Sequence, residues 1–258
     1  MPGSAIRLPS EGLCRGEVHI WLADSVAMRA ECERMTDFLS DDEIIRLGGF
    51  KSVQAHDTYL VGRVTLRRVI GRYLDCDPKD LRIAAGQHGK PILVEQRQRA
   101  QVEFNVSHAE QVVGISVARR PVGFDVESTE RCVDIGALSQ RVMSVAERAA
   151  IFSNCGIEAQ RSCFLRYWTR KEAVLKRDGC GLSRDPTGIE TAESMTQCGR
   201  IFSFAPRPGY IASVAGSEML TTISLFDPAH GSEPTGIVPV MKTKIPTIGR
   251  SHGGPDAW

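Results

Sequence analysis

Asp125 and Glu127 stand one residue apart in GFDVES (123–128), where Val122, Phe124 and Val126 alternate with Gly123, Asp125 and Glu127. Side chains alternate across a strand with a period of two, so the two acids share one face and the three apolar residues the other. An exposed strand face in water accounts for such a pair; a cation between the carboxylates accounts for it too, and gives the pair a chemistry. A third acid, Glu172, lies in YWTRKEAVLKRDG (167–179). At about 100° per residue, Trp168, Glu172 and Lys176 fall within about 80° on one side of a helix, presenting an aromatic ring, an acid and a base in order. Glutamate four residues before lysine is also the favourable helix-surface pair, worth about 0.3–0.5 kcal/mol without any function, and this helix alone favours that plainer reading.

Two shorter stretches carry groups suited to an anion. EFNVSHAEQ (103–111) brings Ser107 and His108 to the place where its strand should end. There a hydroxyl and an imidazole can meet an anionic oxygen, although a serine-capped turn beside a surface histidine fits equally well. GQHGKPIL (86–93) lacks the Walker spacing and opens no helix, which excludes a P-loop. Lys90, preceding Pro91, is confined to extended backbone and by itself reads as a solvated turn lysine. Residues 46–99 hold eleven Lys/Arg against five Asp/Glu, an excess that suits a multiply phosphorylated ligand or simply a solvated helix face.

These groups need elements to position them. Strand-like segments are 17–22, 81–84, 102–106, 112–118, 121–127, 200–205, 209–215 and 221–226, rich in β-branched and aromatic residues and bounded by Pro and Gly. Helix-like segments are 41–48, 54–74, 145–153 and 158–178, and Ser40 with Glu43 and Ser144 with Glu147 match capping boxes at two of their starts. Leu60, Val64, Val69, Ile70 and Leu74, with Leu66 less well placed, predict a buried stripe on the second helix. A short helix, a long helix and paired strands occur over 41–118 and again over 145–226, which suggests two similar α+β halves, 1–118 and 119–226. Residues 227–258, rich in Pro, Gly, Ser and Thr, read as a flexible tail that Trp258 could dock.

At 258 residues with a formal charge of +1, the chain can bury a sizeable core and is not balanced as a dedicated nucleic-acid binder. No apolar run reaches the ~18 residues of a membrane span, and the N-terminus has no apolar signal core, so a cytoplasmic protein without a membrane partner is expected. Cys14, Cys32, Cys76, Cys132, Cys155, Cys163, Cys180 and Cys198 are scattered singly, without zinc spacing, and read as reduced, mostly packing residues.

Taken in order, GKP (89–91), FNVSH (104–108), GFDVE (123–127) and WTRKEAVLK (168–176) resemble the successive signatures of the Sfp-type 4′-phosphopantetheinyl transferases, and residues 50–70 are similar to the family's first long helix. The resemblance covers roughly residues 40–226. It implies two pseudo-symmetric α+β halves with the active site in the cleft between them. It further implies transfer of the 4′-phosphopantetheine arm of coenzyme A to a serine of an acyl or peptidyl carrier protein by a monomeric enzyme. By motif match, Asp125, Glu127 and Glu172 would hold Mg2+, and Lys176 would donate to the β-phosphate. Lys171 would serve the phosphates or the carrier, while Ser107, His108 and Arg46 would contact phosphate and Lys90 and Pro91 the adenine nucleotide. Glu172 is the first candidate for general base, with Glu127 or a metal-bound water as competitors. Asp57 and Glu43 depart from the family's arginine and lysine, and acids beside a phosphate would weaken binding unless Arg46, Lys51 or Arg63 compensate. That departure leaves a non-catalytic coenzyme A binding relative as the alternative, with a carrier-independent hydrolase as a weaker one. Met143, where the family usually has Phe, reads as packing alone.

Overall fold

The computed structural model describes residues 13–94, 102–191, 199–230 and 241–244; Cys198, Trp258 and most of the segment read as a tail lie outside them. The first strand, β1 (Glu17–Asp24), passes directly into α1 (Ser25–Glu33) because the Asp24 carboxylate accepts from the amides of Val26 and Ala27 and caps the helix. Capping boxes open α2 (Asp41–Gly48) and α5 (Val145–Phe152), as Ser40–Glu43 and Ser144–Glu147 predict. Each is followed by a 22-residue helix, α3 (Val53–Leu74) and α6 (Ile157–Asp178). The second half also carries α4 (Ile135–Val142), ahead of α5.

Strands β2 (Ile83–Ala85) and β3 (Pro91–Leu93) pair as a short hairpin. The others are β4 (Glu103–Ala109), β5 (Val112–Ala118), β6 (Val122–Ser128), β7 (Ile201–Phe204), β8 (Tyr210–Gly216), β9 (Thr222–Phe226) and β10 (Met241–Lys244). They form a five-stranded sheet ordered β10-β9-β1-β5-β4 and a three-stranded sheet ordered β6-β8-β7. Alternation along the strands builds the layers. Val18 and Ile20 of β1 meet Val122, Phe124 and Val126 of β6 in a core between the sheets. The opposite face of the larger sheet, through Trp21, Ile115 and Val117, packs on Leu66, Val69 and Ile70 of α3. Behind the smaller sheet, Ile201 and Ala215 pack on Ala173 and Val174 of α6. The order is therefore helix, sheet, sheet, helix, the α+β arrangement expected.

The echo between the halves is a repeated brace. Arg67 donates to Glu43 at 2.7 Å and to the carbonyls of Pro78 and Leu81. Lys171 pairs with Glu147 at 2.8 Å and donates to the carbonyls of Pro186 and Ile189. In each half the glutamate closes a capping box, and the cation follows 24 residues later in the first and as far in the second. In each, too, the accepting proline opens a 3₁₀ turn capped by aspartate, Asp77 or Asp185. Glu43 is thus a buried structural acid.

Several sequence expectations need amendment. α1, α4 and β3 were not anticipated: α1 mixes polar residues into its buried side, and β3 is three residues long. Strand β4 continues through Ser107 and His108 to Ala109, paired with β5 throughout, so neither residue follows the strand. Within the segment read as a flexible tail, Met241–Lys244 forms β10 on β9, and β9 itself pairs parallel with β1 of the first half. None of the seven described cysteines forms a disulfide with another; Cys32, Cys76, Cys163 and Cys180 pack in or against the apolar clusters, as expected of most of them, while Cys14, Cys132 and Cys155 are exposed. Met143 is fully buried, in keeping with a packing role. Among the described residues no helix is long and apolar enough to cross a membrane.

Candidate active site

Strand β6 lies directly against α6. A Cβ at Gly123 would fall 1.8 Å from the carbonyl oxygen of Ala173 and 2.5 Å from the amide nitrogen of Arg177, so only glycine permits this approach. The period-two pattern then turns Asp125 and Glu127 toward the helix, while Val122, Phe124 and Val126 enter the core.

The ammonium of Lys176 donates to Asp125 Oδ1 at 2.6 Å and to Ser107 Oγ at 2.8 Å, and the Ser107 hydroxyl donates to the same carboxylate oxygen at 2.8 Å. One turn toward the helix N-terminus is Glu172, and one turn further Trp168 donates its indole N–H to Glu127 Oε1 at 2.9 Å. Arg131 also pairs with Glu127. Nothing in the sequence marked Arg131 for this contact, since it reaches back from the turn after β6. Lys176 therefore bonds across to β4 and β6 instead of pairing with Glu172, and the plain helix-surface reading does not hold. Glu172 itself makes no hydrogen bond or ion pair with a described residue. Its pKa is raised by burial and then by the charge of Asp125, partly offset by Lys176. Burial and Asp125 likewise raise that of Glu127, against Arg131 and Trp168.

Among the described residues no three His, Cys, Asp or Glu side chains are drawn together as a ready metal cluster. Two of the expected trio of acids are held by protein cations instead, Asp125 by Lys176 and Glu127 by Arg131. The groups nonetheless suit a hard divalent ion. Asp125 Oδ2 is buried without a hydrogen-bond partner, and Glu172 is unpaired. Both remaining glutamates sit where added positive charge would relieve them.

On the other face of β4 lies a cavity of about 480 Å³ between α2, α3 and the β2–β3 turn, lined among others by Arg46, Tyr59, Arg63, Pro91 and His108. The guanidinium carbons of Arg46 and Arg63 stand 5.4 and 5.5 Å from the Tyr59 ring centroid, so two cations lie against one aromatic ring. Burial lowers the pKa of His108, and the charge of Lys176 lowers it further, against Asp125. Ser107 and His108 thus point to opposite faces of the strand, and β4 carries the carboxylate cluster on one side and the cavity on the other.

Two expected site residues are placed otherwise. Lys171 is fully buried, its ammonium taken up by Glu147 and the carbonyls of Pro186 and Ile189, which corrects its assignment to phosphates or carrier. Motif position could not reveal this; comparison with Arg67 could have. Lys171→Met is expected to cost about 3–5 kcal/mol, the usual result of stranding a buried charge. Urea unfolding measures it, and a variant as stable as wild type would refute the brace. Lys90 directs its ammonium to the main-chain carbonyl of Lys176 at 2.7 Å. Asp57 is also turned aside, against His56 at 3.0 Å and Arg29 at 3.5 Å. Neither Asp57 nor Glu43 lines the cavity, so the observation that favoured a non-catalytic relative falls away.

Residues 121–213 match the family model of the 4′-phosphopantetheinyl transferase superfamily, and residues 26–119 match that of the 4′-phosphopantetheinyl transferase N-terminal region. The chain is 27% identical to 4′-phosphopantetheinyl transferase HetI of Nostoc sp., over 80% of this chain and 90% of that one. It is 26% identical to 4′-phosphopantetheinyl transferase Sfp of Bacillus subtilis, over 75% and 89%. With 4′-phosphopantetheinyl transferase AcpT of Salmonella typhimurium it shares 30% identity over 55% of this chain and 70% of the other. Two adjoining matches that meet at the junction of β5 and β6, and relatives aligned across both halves, agree with the layered fold: the chain belongs to the 4′-phosphopantetheinyl transferase superfamily.

Proposed function

We propose that this chain is an enzyme that moves the 4′-phosphopantetheine arm of coenzyme A onto a serine of an acyl or peptidyl carrier protein and releases adenosine 3′,5′-bisphosphate. The observation that carries the reading is the convergence of Ser107, Asp125 and Lys176, from a strand of each sheet and from α6, within 2.8 Å of one another.

The carrier hydroxyl attacks the β-phosphorus, and the bond from that phosphorus to the bridging oxygen breaks. Lys176 has three N–H donors and uses two on Asp125 and Ser107, leaving the third for a β-phosphate oxygen as charge develops. Glu172 is unpaired and its pKa is raised, which suits it to take the hydroxyl proton; Glu127 is already occupied by Trp168 and Arg131. In the neighbouring cavity Arg46, Arg63 and His108 would meet nucleotide phosphate, with Pro91 packing near the base. Asp125, Glu127 and Glu172 would hold magnesium, which when bound supplies positive charge to the pyrophosphate oxygens. The reading includes a cytoplasmic monomer that needs neither membrane nor nucleic acid.

Incubation with coenzyme A, magnesium and an apo carrier is expected to add the mass of one phosphopantetheine to the carrier, and excess chelator to prevent the gain. Folded protein that modifies none of several fatty-acid, polyketide and nonribosomal peptide carriers would count decisively against the proposal. Gain that persists under chelation would remove magnesium from it.

A further inference from the structure

The Lys90 ammonium hydrogen-bonds the carbonyl of Lys176 at 2.7 Å, the residue whose own side chain holds Asp125 and Ser107. Helix α6 ends at Asp178, so this carbonyl is one of the four that a helix leaves without an internal amide partner. A cation there also complements the negative end of the helix dipole. Lys90 comes from the β2–β3 turn of the first half, whereas α6 belongs to the second. The turn touches the same region again, with His88 Nε2 3.5 Å from the hydroxyl of Ser183. Lys90 faces a second cavity of about 390 Å³, shared with Arg177, Asp178 and Gly179, and not the one that Arg46 and Tyr59 line. Its backbone is held extended before Pro91, with φ −62° and ψ 126°.

We infer that Lys90 is a positioning residue for Lys176: it pins the last turn of α6 to the first half and so fixes where the Lys176 ammonium sits. The inference rests on the transfer reading for its kinetic consequence, though not for the link itself. A nucleotide contact and a positioning bond predict different losses. Loss of a nucleotide contact raises KM for coenzyme A, whereas a displaced Lys176 lowers kcat, because small misplacements of a catalytic group are costly.

Lys90→Met keeps the stem and removes the donors; Lys90→Arg keeps a donor and should rescue. For Lys90→Met, kcat is expected to fall about ten- to a hundredfold with KM for coenzyme A within about twofold of wild type. The amides of Arg177 and Asp178, measured by NMR in substrate-free protein, are expected to exchange with solvent about tenfold faster or more, and Lys90→Arg to restore most of both. A raised KM at unchanged kcat, or unaltered exchange in that turn, would overturn the inference. Because exchange is read without substrate, it decides the Lys90 link even if wild type modifies no carrier, the result that instead sinks the transfer reading.

Discussion

Glu172→Gln is expected to cut turnover by about 10²–10⁴-fold, the range a positioned general base contributes, in protein that remains folded. The side chain is half-buried on α6, one turn from the lysine that holds Asp125 and one turn from the indole that holds Glu127, yet it has no partner of its own among the described residues. Glutamine preserves its size and removes a charge that Asp125 and Glu127 both oppose. The unfolding midpoint should therefore stay level or rise while transfer collapses. Carrier mass spectrometry gives the rate and urea unfolding the stability. A variant within tenfold of wild type would pass the role of base to Glu127, and one that unfolds would return Glu172 to a purely structural place.

Gly123→Ala should be the most damaging single methyl in the described chain. The added carbon would overlap the main chain of α6 at Ala173 and Arg177, and neither atom can rotate away as a side-chain end could. Relief requires β6 and α6 to separate, which breaks the packing behind the smaller sheet and pulls Asp125 from Lys176 together. A loss of at least about 3 kcal/mol is expected, with poor recovery of soluble protein. Gly48→Ala is the matched control. Gly48 ends α2 with open space around it, so alanine there should be neutral or gain up to about 1 kcal/mol through helix propensity. Equal unfolding midpoints for the two variants would show that strand and helix are not pressed together as described.

What could be read from the sequence was whatever depends on local periodicity. Alternation along 122–127 placed Asp125 and Glu127 on one face, and helical spacing put Trp168, Glu172 and Lys176 on another. The two capping boxes fixed the starts of α2 and α5 because the signal lies within four residues. What failed depended on partners distant along the chain. Lys171 and Lys176 look alike in a motif, but one meets Glu147 and the other Asp125, a choice made by which side of α6 faces α5. Ser107 and His108 were grouped as neighbours, although an unbroken strand sends them to opposite faces. Glu43 looked like an acid misplaced beside phosphate until Arg67 was found across from it.

The parallel pairing of β9 with β1 bears on how the chain can be cut. Residues 222–226, with 241–244 outside them, complete a sheet whose other three strands belong to the first half. Dividing the protein after β5 to express each part separately would strip β1 of that neighbour and bare a row of main-chain donors and acceptors along Glu17–Trp21. Such a rim invites strands from other molecules, so the isolated front fragment should self-associate, and supplying the rear fragment in trans should restore solubility.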